Sequence, residues 1–150
     1  MSAAYLRLIP TEPTLVPSAD HRERAVALVV AQLPNAREVT FRLTERVQLV
    51  DCGGNLEEVR CPKCGAPLEI EAWQDAMSQA YDGEGFGDLS YQTECCGHPT
   101  TLNDLDYSFA MGFARACLEL GDPGTELPES LVAQLQSLLG CELRIIYAHC

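Results

Sequence analysis

Tyr5-Leu6-Arg7-Leu8-Ile9 alternates enough to read as a strand, and Pro10 stops it because proline has no N–H to offer a ladder. At the far end, residues 142–148 read as a last strand. Between these two the periodicity changes. Ser18 or Asp20 can cap a helix, with Glu23 three residues after Asp20, and Ala25, Leu28, Val29 and Leu33 share one face before Pro34. Val39, Phe41 and Leu43 alternate with Thr40, Arg42 and Thr44 as a half-buried strand. Residues 47–50 read as its neighbouring strand, and Cys52-Gly53-Gly54-Asn55 as a turn. Further on, 68–71 reads as a short strand, with helices over 72–81, 108–120 and 128–139. Trp73, Met77 and Tyr81 recur at four-residue spacing, which predicts core packing. Strands at both ends with helices between them imply one α+β domain.

The chain has 150 residues, 47% of them apolar and 21% charged, which is enough for a core and excludes a disordered chain. The formal charge is −12, unevenly spread. Residues 1–60 are nearly neutral, with eight acids against seven arginines. Residues 61–150 hold fourteen acids against Lys63, Arg115 and Arg144. Between Cys64 and Arg115 there is no Lys or Arg at all, while Glu69, Glu71, Asp75, Asp82, Glu84, Asp88, Glu94, Asp104 and Asp106 fall there. Such a half cannot follow a phosphate backbone, so no nucleic acid is expected. It suits either a solvated face or a surface that attracts a basic protein partner.

Residues 1–10 lack the basic start, apolar run and small-residue site of a signal peptide, and the longest clean apolar run, 25–31, is too short to span a bilayer. The expected setting is cytoplasmic, without membrane association, where thiols stay reduced and clustered cysteines hold metal more often than disulfides. Eight cysteines are present. Cys52, Cys141 and Cys150 are isolated and take no role, and Cys117 lies in the apolar pattern of the 108–120 helix as a small hydrophobe.

Cys61-Pro62-Lys63-Cys64-Gly65 has the spacing of half a tetrahedral zinc site, with a glycine that lets backbone N–H groups face sulfur. Thirty residues on comes Cys95-Cys96-Gly97-His98. Cys95-x-x-His98 would complete a Cys₃His site. Cys96-Gly97 matches Cys64-Gly65 instead, but Thr93 stands where a cysteine is needed, so Cys95 would be the fourth ligand of a Cys₄ site. Adjacent cysteines reach one metal only if the backbone folds back. A thioredoxin-like Cys-Pro-x-Cys pair opens a helix; here Gly65-Ala66-Pro67 follows. The deaminase signature, suggested by His21-Arg22-Glu23, needs a proline before the first cysteine, where Arg60 stands. Asp82 to Asp88, with three glycines in five positions, is a mobile loop whose acids would repel phosphate.

Together with Thr101-Leu102-Asn103-Asp104-Leu105, Gly112-Phe113-Ala114 and Leu143-Arg144-Ile145-Ile146, these cysteine motifs resemble a group of short bacterial zinc-ribbon-like proteins. The resemblance implies Cys61, Cys64, Cys95 and Cys96 as zinc ligands in preference to His98, and supplies no mechanism. The expectation is thus an α+β single domain with terminal strands, three or four helices and a zinc-ribbon-like insert at about 59–101. Its zinc would be structural, its acidic surface would bind protein, and an immunity or inhibitor protein for a basic toxin is the concrete form. The rival is a metal-dependent or thiol-based enzyme using the Cys/His cluster.

Overall fold

In the computed structural model, which describes residues 4–149, β1 (Ala4–Pro10) sends Leu6 and Leu8 to one side and Arg7 and Ile9 to the other, as a period of two requires. Ser18 caps α1 (Ala19–Gln32), its Oγ accepting the His21 N–H at 3.2 Å. The chain then enters β2 (Glu38–Val50). Residues 47–50 do not form a separate neighbour. They continue the same strand after a bulge between Leu43 and Gln48, where the Arg115 guanidinium donates to the Thr44 carbonyl at 3.0 Å.

The segment after β2 holds β3 (Val59–Arg60), α2 (Ile70–Ala80), β4 (Ser90–Gln92), β5 (Pro99–Thr101) and β6 (Asp106–Tyr107). Residues 68–69 precede α2 and are not a strand. The chain returns as β7 (Gly112–Gly121), α3 (Glu129–Leu139) and β8 (Leu143–His149). The described residues thus form three helices and eight strands, a mixed α+β class.

The helix expected over 108–120 is irregular backbone over 108–111 followed by strand β7 instead. Phe113, Ala114, Ala116, Cys117, Leu118 and Leu120 suit a helical stripe and a strand buried on both faces equally well. The pairing decides: β7 is central, antiparallel to β2 on one side and to β1 on the other. The sheet order is β2-β7-β1-β8 with every neighbour antiparallel, so two βαβ units interlock as in the ferredoxin-like split βαβ arrangement.

Helices α1 and α3 cover one face, where Ala25, Val29, Leu131 and Leu135 meet Leu6, Leu8, Leu118 and Leu120. The other face receives the segment between β2 and β7. Ile9, Phe113 and Ile146 pack with Val59, Trp73, Phe86, Leu102 and Tyr107. The Phe86 ring stands edge-on to Phe113 at 4.9 Å, and Trp73 donates its indole N–H to the Tyr107 hydroxyl at 3.2 Å. Of the three aromatic and thioether residues expected in the core, Trp73 is buried and Met77 half-buried, but Tyr81 caps the end of α2 and is exposed. The glycine-rich loop is tied at its acid: the Asp82 carboxylate accepts the Glu84 and Gly85 N–H groups and pairs with Arg46, and the loop buries Phe86.

Candidate metal centre

Two short reversals of the chain carry the cysteines. The first follows β3. The Gly65 N–H donates to the Cys61 carbonyl at 3.0 Å, and the Cys61 N–H to the Ala66 carbonyl at 2.9 Å. The second forms the tip of the β4–β5 hairpin, where the Gly97 N–H donates to the Thr93 carbonyl at 2.8 Å and the Thr93 N–H to the His98 carbonyl at 3.0 Å. Gly65 and Gly97 close the turns at φ +74° and +68°, a left-handed backbone that residues with a Cβ seldom adopt. Five residues lie between Cys64 and Ile70, where α2 begins, so the pair does not open a helix.

The two tips bring Cys61, Cys64, Cys95 and Cys96 together, with all four sulfurs within 4.8 Å of one another. Sγ of Cys64 lies 3.3 Å from that of Cys95, Cys61 lies 3.7 Å from Cys96, and Cys95 lies 4.0 Å from Cys96. A metal bound at roughly 2.3 Å by four tetrahedral thiolates holds them about 3.8 Å apart. Disulfide sulfurs would sit at about 2.05 Å, well inside these separations, and all four cysteines are free thiols. The donor set therefore fits a metal ion. Cys95 and Cys96, although adjacent, both join the cluster because the chain reverses at the hairpin tip. Four thiolates would fill a tetrahedral ion's positions and leave none open for water.

Thr93 belongs to the same group. It is 1% exposed, and its Oγ1 lies 3.5 Å from Cys61 Sγ and 3.6 Å from Cys96 Sγ. Sequence alone marks it only as a missing cysteine; the match between Thr93-x-x-Cys96-Gly97 and Cys61-x-x-Cys64-Gly65 is the signal that places it. The Cys61 thiol is held down at about 5, first by the Cys64 backbone N–H and then by the Thr93 hydroxyl, both of which stabilise the thiolate. Cys95 is pushed up to about 11, chiefly by the Cys64 sulfur beside it. Crowded thiols cannot all ionise alone, whereas a central divalent cation removes the conflict.

His98 contributes its backbone to the second turn, and its imidazole nitrogens are not among the clustered ligand atoms. Cys52 is buried beneath the sheet, and Cys117 and Cys141 lie elsewhere. Cys117 is on β7, not on a helix, and lines a hollow on the sheet face away from α1 and α3. Burial pushes its thiol up to about 12. Cys150 lies outside the described residues.

Beside the cysteine turns, α2 and β4 form a cleft of about 560 Å³ that exposes Asp75, Asp88 and Glu94, with no Lys or Arg in its lining. Among the described residues, no helix is long and apolar enough to cross a membrane. Compared with family models, with curated proteins and with solved structures, the chain finds no match.

Proposed function

We propose that this is a small zinc protein in which four thiolates hold a structural ion, and that the rigid segment so formed presents an acidic surface to a basic protein. The observation that carries the reading is the spacing of the four sulfurs at the tips of two separate turns. Zinc suits an all-thiolate set better than the harder divalent cations, which prefer oxygen. Ligation would add to the core that this segment shares with the sheet, because β3–β6 and β4–β5 are ladders of only two and three residues. The acidic cleft between α2 and β4 supports the partner's charge: Asp75, Asp88 and Glu94 would attract Lys and Arg, as on an inhibitor or immunity protein that covers a basic enzyme.

Protein purified without chelator is expected to carry one zinc per chain by elemental analysis, with four sulfurs around it by X-ray absorption. Metal-free protein with intact thiols would overturn the reading. For the partner, association with a basic nuclease is expected to slow as salt rises and when Asp75, Asp88 and Glu94 are changed to Lys. Binding indifferent to both would reduce the acidic surface to a solubility device.

A further inference from the structure

The second cysteine turn repeats the backbone of the first but not its ligand. Thr93 occupies the place of Cys61: its carbonyl accepts the glycine N–H, and its N–H donates to the residue after that glycine, as Cys61 does. Cys96 then corresponds to Cys64, Gly97 to Gly65, and Cys95 to Lys63. The correspondence extends to the side chain. Thr93 Oγ1 lies 3.5 Å and 3.6 Å from two of the sulfurs, close to the ~3.8 Å edge of a tetrahedral thiolate set. Buried and accepting the His98 N–H at 3.1 Å, the hydroxyl keeps its own proton for a sulfur.

We infer that Thr93 stands at a ligand position of the second turn, that its single hydroxyl proton goes to the Cys61 or the Cys96 sulfur once these are thiolates, and that Cys95 has taken over the fourth ligand from the turn's exposed apex. The inference rests on the metal-binding reading above. Thr93 is thus a positioning residue: it orients two ligating sulfurs and lowers the electron density they give the ion. The displacement also sets where the centre can be reached. Cys61 is 1% exposed, whereas Cys64, Cys95 and Cys96 are all exposed, and the Cys64 and Cys95 sulfurs lie 3.3 Å apart. A thiol-directed reagent meets these three before Cys61.

The test uses the full chain titrated with cobalt(II), whose sulfur-to-metal charge-transfer bands count thiolates, with a competing chelator to read affinity. Cys95→Ser is expected to lower band intensity to about three quarters, as three thiolates of four remain. Adding Thr93→Cys to Cys95→Ser is expected to restore both the four-thiolate spectrum and the affinity. Separately, Thr93→Val is expected to weaken binding by roughly 10- to 100-fold and shift the charge-transfer band, with Thr93→Ser recovering both. A double variant with wild-type circular dichroism that stays at three thiolates would overturn the ligand-position claim. Wild-type affinity and spectrum in Thr93→Val would overturn the hydroxyl's role, and this pair still reads if the double variant does not fold. If the wild-type chain takes up no cobalt, the metal-binding reading itself falls; uptake without rescue removes only this inference.

Discussion

Cys96 and His98 are two residues apart, yet only the cysteine's side chain enters the cluster; the histidine serves through its backbone carbonyl and N–H. Their substitutions should therefore separate cleanly. Cys96→Ser is expected to weaken zinc affinity by at least an order of magnitude, while His98→Ala leaves it near wild type, measured by competition with a chromophoric chelator. The reverse order would point to a Cys₃His site. Cys117 answers to a different force. Its thiol is pushed up to about 12, mainly by burial, with Glu119 adding to the effect. A folded-state value above the unfolded 9.0 favours folding below about pH 9, and that contribution is lost as pH rises towards 12. Cys117→Ala should flatten the loss of stability above pH 9, read as melting temperature against pH. At pH 8, iodoacetamide should label Cys117 far more slowly than the exposed Cys64 of the metal-free protein.

At the scale of elements, β7 carries the fold. It pairs on both sides, and its first residue is held where a side chain cannot fit. A Cβ on Gly112 would meet the Arg144 guanidinium at 2.6 Å, Asn103 Oδ1 at 2.8 Å and Ile9 Cδ1 at 2.9 Å. The crowding is structural: Asn103 Oδ1 accepts the Phe113 N–H at 2.9 Å, and Arg144 donates to the Asn103 and Met111 carbonyls at 2.8 and 3.0 Å. That node joins β7 and β8 to the end of the cysteine-bearing segment. Gly112→Ala is expected to cost about 1–3 kcal/mol in urea unfolding, as overpacking does. A neutral result would mean that the node shifts freely. The sequence could not place β7 as a strand, because a run apolar on both faces has no period of two to read. The strand form wins through two ladders, one to each neighbour, that form only once β1 and β2 are in place.

At the scale of the whole molecule, two cores meet the same sheet from opposite sides. The one under α1 and α3 is made of long aliphatic side chains. The other combines Ile9, Phe113 and Ile146 with residues of a segment whose own ladders are very short. Removing metal should therefore act unevenly. Hydrogen exchange is expected to accelerate across residues 59–101 by an order of magnitude or more after chelation, while amides of β1, β7 and β8 stay protected. Uniform loss of protection would show that the sheet, too, depends on the ion.

The mixed α+β class, the terminal strands, α1 and α3, and the two cysteine groups are legible in the residues alone. Those features are local: a capping serine, a helical stripe, a proline stop and the Cys-x-x-Cys-Gly spacing act within a few residues. Long-range contacts, not local pattern, make residues 38–50 one bulged strand, put 112–121 inside the sheet and pack Thr93 against the sulfurs. Each depends on partners far along the chain. β7 needs β1, more than a hundred residues before it, and the cluster needs two turns thirty residues apart brought tip to tip. Burial and pairing across such distances outweigh local propensity, and they leave no periodic mark in the residues that obey them.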